Sequence, residues 1–314
     1  MNRTAVRPPL LASGARVALV SPSGPVRDEG DVERAMNNAR AMGWDPVPGT
    51  HVRARAGYLA GTDHERLADL NLAIRDSRVD GIWCVRGGYG AIRLLSDLDY
   101  DALRAHPKAL IGYSDVTALH LAIRARCDLV TFHGPTARSP LANLSRESLA
   151  AAVVRGVNSC GALAEPGTRV LRGGRASGRL EGGNLALVAS LVGTPFAARL
   201  DDAILVLEDV NEPVYRIDRM LRQLKLAGSF ARVRALVFGA FTERGDSDPT
   251  GDRPLDDVLG EAAQLVSGPC VAGVPVGHLD AQWTVPLGAM ATLDADAQTL
   301  NVHDHATVWP MGGK

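Results

Sequence analysis

The chain has 314 residues, 46% of them hydrophobic and 22% charged, with 34 basic against 35 acidic side chains and a net charge of -1. That length and apolar share fit a globular protein of two domains, and the even charge leaves no basic footprint for nucleic acid. No apolar run approaches a membrane span and no long apolar export core precedes the first strand, so no membrane partner is expected and the cytoplasm is the expected compartment. The four cysteines, at 84, 127, 160 and 270, include no CxxC pair, so neither a zinc site nor a disulfide framework is expected.

In chain order, "ARVALVSPSGP" reads as a strand running into a Ser/Pro/Gly turn. "DVERAMNNARAMGW" is a helix closed by Gly43, and "HERLADLNLAIRD" a second amphipathic helix. "DGIWCVRGGYG" is a strand ending in glycines, "AIRLLSDLD" is helical and "KALIGYSD" is a strand. The helix "DVTALHLAI" follows at once, and "DLVTFHGPT" is another strand. Such alternation predicts a parallel sheet flanked by helices, with sites at the carboxyl ends of the strands. Residues 141–178 read as a linker region between a domain at 1–140 and another at 179–314. In the second, Asn184 caps an apolar helix after a Gly-Gly turn, and "AILVLEDV" is a strong strand. Next come the helix "YRIDRMLRQLKLAG", the strand "VRALVFGAF", the loop "TERGDSDPTGDRP", a helix near 254–266 and late strands in "CVAGVPVGH" and "ATLDADAQTLNV".

Chemistry has four candidate places. Ser114 sits on a corner between strand and helix, where it either caps the helix or presents its oxygen as a nucleophile. The glycine turn "VRGGYG" lets Gly87 and Gly88 bring bare backbone N–H groups to a ligand, or is a plain turn, since the GxGxxG pattern is absent. Glu208 closes the apolar run "AILVLE", where it either orients a histidine or starts an acidic loop. His278 closes "VAGVPVGH", with His120 and His133 as rival bases; His120 is expected to point away from the corner, and the strand of His133 could neighbour that of Ser114. No HExxH, paired cysteines or Walker-type loop appears, so no metal and no cofactor are expected. Serine, carboxylate and histidine are the parts of an acyl-transfer triad. Their order is that of α/β-hydrolases, but Val116 stands where that elbow needs glycine.

Seven stretches in order carry a resemblance: "VSPSGP" at 20–25, "RGGYG" at 86–90, "GYSDVTALH" at 112–120, "HGP" at 133–135, "EGGNL" at 181–185, "LEDVNEPVYRIDRML" at 207–221 and "VPVGH" at 274–278. Together they resemble the LD-carboxypeptidase family of cytoplasmic serine peptidases that trim cell-wall muropeptides. The resemblance implies an α/β fold: a flavodoxin- or class I glutamine amidotransferase-like N-terminal domain and a smaller α/β C-terminal domain, with the site between them. It implies Ser114 as nucleophile, His278 as base and Glu208 as its orienting carboxylate. The N–H of Asp115 and one from Gly87 or Gly88 would hold the oxyanion. A homodimer acting without metal on a muropeptide or related peptide substrate, releasing terminal D-alanine, is likewise implied. Some members instead cleave a microcin C-type peptide–nucleotide, and that branch carries a tryptophan beyond "GGNL" that this chain lacks. A non-catalytic peptide-binding module is the alternative from another class. Arg86 and Arg216 are candidates to grip the substrate carboxylate by charge and placement.

Overall fold

A computed structural model describes residues 5–28, 30–163, 167–242 and 253–303 and the short strand at 307–308. The first half supplies β1 (Val6–Arg7), β2 (Arg16–Val20), α1 (Gly30–Ala41), β3 (Asp45–Pro48), α2 (Asp63–Arg75) and β4 (Gly81–Cys84). These are followed by α3 (Tyr100–Ala105), β5 (Ala109–Gly112), α4 (Thr117–Cys127) and β6 (Thr131–His133). The expected helix at "AIRLLSDLD" is a single 3₁₀ turn over Ala91–Leu94. Of residues 141–178, α5 (Asn143–Ala150) and a π-helical turn at Ala151–Arg155 pack Leu149, Ala152 and Val153 on the first sheet's core.

The second half supplies β7 (Arg169–Arg172), β8 (Arg175–Asn184), α6 (Leu185–Ser190), β9 (Ala203–Val210), α7 (Val214–Leu226) and β10 (Ala235–Thr242). After α8 (Leu255–Ala263) come β11 (Cys270–Ala272), β12 (Val285–Leu287), β13 (Met290–Asp294), β14 (Thr299–Val302) and β15 (Thr307–Val308). Most of the loop "TERGDSDPTGDRP" lies outside the described residues.

The described residues form two large sheets and a two-stranded parallel pair, β1-β15, in a mixed α/β architecture of two domains. One sheet has the order β12-β6-β5-β4-β2-β3 and the other β14-β13-β8-β9-β10-β11-β7. In the first, β2 to β6 are all parallel, and their order, 2-1-3-4-5 when counted from β2, is that of flavodoxin-type sheets. Parallel strands buried on both faces read as apolar runs, which is why "RVALV", "GIWC" and "ALIG" are nearly solid.

The two halves are tied by more than contact. β12, from late in the chain, adds antiparallel to β6, with Val285 opposite His133. One core cluster runs from Ala18, Ile82 and Leu110 of the first sheet, through α4 and α6, to Leu205, Leu207 and Phe238 of the second. Within this interface the buried Arg124 guanidinium of α4 donates to Glu181 of β8 at 2.7 and 3.1 Å. Arg124 also donates to Asp128 at 2.9 Å, so it is removal of Arg124 that would strand a buried charge, Glu181, at a cost of about 3–5 kcal/mol.

Candidate active site

Ser114 occupies the corner after β5 with φ at +66°, a left-handed conformation rare for a non-glycine residue. A residue held there costs on the order of 1–3 kcal/mol and persists only where its surroundings enforce it. They do: Gly112 precedes it with φ at +158°, and a Cβ on Gly112 would fall 3.0 Å from Val116. Ser114 makes no capping hydrogen bond at the start of α4. The corner presents a hydroxyl rather than closing a helix.

Gly87 of the glycine turn lies against this hydroxyl. A Cβ there would sit 2.8 Å from Ser114 Cβ and 3.0 Å from its Oγ, so only glycine fits. Its carbonyl accepts from Gly24 N at 3.0 Å, joining the turns after β2 and β4. Among the described residues the N–H groups of Gly87 and Gly88 have no acceptor. Asp115 is buried, and its carboxylate accepts from Ala91 N at 2.8 Å. That bond fixes the elbow to the far end of the glycine turn.

Glu208 lies inside β9, two residues before its end and fully buried. Its Oε2 accepts from His278 Nδ1 at 2.8 Å. Room for this carboxylate comes from two glycines: a Cβ on Gly277 would meet Oε2 at 2.5 Å, and one on Gly239 would meet Glu208 Cβ at 3.2 Å. The strand expected to end at His278 ends at Ala272, and turns at Gly273 and Gly277, both with positive φ, carry the histidine onto Glu208. In the tautomer that donates Nδ1–H to the carboxylate, Nε2 keeps its lone pair. The Tyr113 ring packs edge-on against His278 with centroids 4.8 Å apart. Burial, then the charge of Glu208, push the Tyr113 phenol above its ordinary range, so it stays neutral.

Ser114, His278, Gly87 and Gly88 line one open cleft of about 350 Å³ at the carboxyl ends of β2, β4, β5 and β6. No hydrogen bond joins Ser114 Oγ to His278. Such bonds commonly tighten when substrate binds. Arg86 lines the cleft too, but Arg216 does not: it stands exposed on α7, 3.6 Å from Glu212. Arg27, Arg138, Tyr113 and Asn211 also reach the cleft, and sequence reasoning passed over them. The available signal was position, because each lies within seven residues after a strand's carboxyl end.

The rival histidines sit behind the site. His133 is buried, with Nε2 3.8 Å from Glu208 Oε1, and burial first, then His120 and His278, hold its pKa well below the usual histidine range. It does adjoin the nucleophile strand, opposite Gly112. His120, expected to point away from the corner, instead bonds the Gly112 carbonyl through Nε2 at 2.8 Å, and burial lowers its pKa to about 4. α4 turns its i+3 face under the strand end, so the imidazole supports the elbow from below.

The halves meet at the site through Gly183, whose Cβ would collide with Thr117 Oγ1 at 2.7 Å. Thr117 Oγ1 accepts from Asn184 N at 3.0 Å. Asn184 caps α6, as its sequence predicts, and donates to Asp209 at 2.9 Å. A wider opening of about 780 Å³ lies at the other end of α4. Its arginines are engaged: Arg124 with Glu181, Arg104 with the Arg126 carbonyl and Arg199 near Asp128. Among the described residues no group of three or more His, Cys, Asp and Glu could hold a metal ion.

Residues 17–134 match the LD-carboxypeptidase N-terminal domain, and residues 177–293 match the LD-carboxypeptidase C-terminal domain. A putative carboxypeptidase of Streptomyces coelicolor is 40% identical, the match covering 98% of this chain and 99% of that one. The murein tetrapeptide carboxypeptidase of Pseudomonas aeruginosa is 34% identical over 90% of this chain and 94% of its own. The microcin C7 self-immunity protein MccF of Escherichia coli is 28% identical over 93% of this chain and 94% of its own. A solved structure of MccF in complex with aspartyl sulfamoyl adenosine superposes with a TM-score of 0.85 at 25% identity, over 95% of this chain and 98% of that one. The chain belongs to the LD-carboxypeptidase family.

Proposed function

We propose that this chain is a serine LD-carboxypeptidase that hydrolyses the bond before the terminal D-alanine of muropeptide tetrapeptides. The observation that carries the reading is the cleft in which a left-handed Ser114 faces a histidine already bound to a buried carboxylate, His278 Nδ1 to Glu208 Oε2 at 2.8 Å. In this mechanism His278 Nε2 takes the proton of Ser114 as Oγ attacks the carbonyl carbon. The tetrahedral oxyanion is received by the N–H of Asp115, at the turn that opens α4, where the dipole favours negative charge, and by one from Gly87 or Gly88 in the glycine turn. His278 returns the proton to the amine of D-alanine, which leaves. Water then attacks the acyl-enzyme with the same histidine as base. Glu208 holds the imidazole in the tautomer this needs and stabilises the imidazolium. Because Ser114 belongs to one domain and Glu208 and His278 to the other, the packing through β12 and Arg124–Glu181 is part of the catalyst.

The muropeptide reading is preferred to the peptide–nucleotide one because, among the described residues, the tryptophans Trp44, Trp83 and Trp283 are all buried and none lines the cleft to stack on a base. The reading carries with it a cytoplasmic homodimer with no metal requirement. Light scattering on the purified protein tests the dimer. For the activity, a muropeptide tetrapeptide incubated with the protein should lose one alanine by mass spectrometry. A peptide–nucleotide cleaved in its place, with the tetrapeptide untouched, would overturn the substrate assignment.

A further inference from the structure

Among the described residues the cleft beside Ser114 is lined by three arginines, Arg27, Arg86 and Arg138, and by no carboxylate. Each follows a parallel strand, Arg27 after β2, Arg86 after β4 and Arg138 after β6, so the topology delivers three cations to one edge of the sheet. Their partners leave them under-neutralised. Among the described residues the Arg27 guanidinium has no partner. Arg86 donates to the Pro25 carbonyl, a neutral acceptor. Arg138 reaches Asp31 only at 3.4 Å, and its Nε is buried without an acceptor. Asp31 itself is shared, taking Arg34 at 2.8 Å and the Arg27 backbone N–H at 2.8 Å. Burial first, then repulsion from Arg138 and Arg27, lower the pKa of Arg86. Three cations that share a single carboxylate, Asp31, are relieved by a further anion bound among them.

We propose that Arg27, Arg86 and Arg138 form an anion subsite that clamps the free terminal carboxylate of the substrate and makes the enzyme an exopeptidase. The inference rests on Ser114 being the nucleophile. The terminal carboxylate of a D-alanyl peptide lies one residue past the scissile carbonyl, within the span of this cleft. Guanidinium forks suit a carboxylate bidentately. A chain that continues beyond that residue, or an amidated end, offers no charge and leaves the arginines unrelieved.

Binding is measured calorimetrically on Ser114→Ala, with a tetrapeptide ending in D-alanine as free acid, its C-terminal carboxamide, and inorganic phosphate as competitor. The free acid should bind about 10- to 100-fold tighter than the amide, the range for hydrogen bonds to a charged group. Arg86→Ala or Arg138→Ala in the same background should bring that ratio towards one, with Arg138→Lys recovering part of it. Exposed Arg27→Ala serves if Arg138→Ala does not fold. Equal binding of acid and amide overturns the proposal. A tight phosphate that displaces the peptide while acid and amide bind alike assigns the subsite to a phosphoryl group and also overturns it. Turnover of the tetrapeptide by Ser114→Ala would instead defeat the underlying reading of the nucleophile.

Discussion

Alanine at Gly277 should disable catalysis without touching any reacting atom. Gly277 has φ at +105°, where a side chain costs on the order of 1–3 kcal/mol. The new Cβ would stand 2.5 Å from Glu208 Oε2 and 2.8 Å from its Cβ and Cγ, far inside van der Waals contact. Glu208 cannot withdraw, being fully buried in β9 with Gly239 close on its other side. The bond that yields is the 2.8 Å contact from His278 Nδ1. An imidazole without its orienting carboxylate loses about 10⁴ in kcat in serine hydrolases. D-alanine release from a tetrapeptide, followed by chiral chromatography, reads this loss, and a thermal melt reads the strain, at about 2–4 °C per kcal/mol for a protein of this class. A folded Gly277→Ala enzyme with wild-type kcat would refute the placement of Glu208 behind His278.

Ser114→Ala and Ser114→Gly should both abolish turnover, and glycine should be the more stable by up to about 1 kcal/mol because it accepts the left-handed corner; equal melting temperatures would deny the strain. Acid should weaken the fold. Below pH 6.5 the unfolded chain binds a proton that buried His120, at about 4, refuses, so on the order of 3 kcal/mol is lost as pH falls from about 6.5 to about 4. His133 acts in the same direction, whereas Asp209, pushed up to about 6 by burial, acts against it, since its protonated form is favoured in the fold. Urea titrations across that range check the sum, and stability that rises on acidification would contradict it. EDTA should leave activity intact; loss restored by zinc would replace the serine mechanism.

The elbow was legible in the sequence because its information is local. Three apolar strand residues, a glycine and a helix with Val116, Leu119 and Ile123 on one face lie within fifteen positions. The parallel character of the first sheet was legible for a similar reason at β2, β4 and β5, each a nearly solid apolar run, whereas β3, DPVP and only partly buried, carries no such signal. His278 was named from its motif, but its path was not: β11 stops six residues earlier, and turns at Gly273 and Gly277 do the placing. Those turns are specified by distant contacts that no local pattern encodes, Gly277 with Glu208 and Gly273 with Gly167 and Thr168. β12 is three residues long and pairs with a strand about 150 positions earlier, too short a run for periodicity to show. His120 was misjudged because six positions along a helix suggests distance from the corner. The helix packs back under β5, and its imidazole meets Gly112. Arg27 and Arg138 stand in loops, where charge has no period. They become visible only once the strand ends are gathered on one edge.

The most direct test of the Ser114–His278 pair is a double-mutant cycle on tetrapeptide turnover. Ser114→Ala and His278→Ala should each lower kcat by about 10⁴–10⁶, and the double mutant should be little worse than either, because the pair acts as a unit. Additive losses, or an active His278→Ala beside an inactive His133→Ala, would contradict the account and move the base to the histidine behind Glu208.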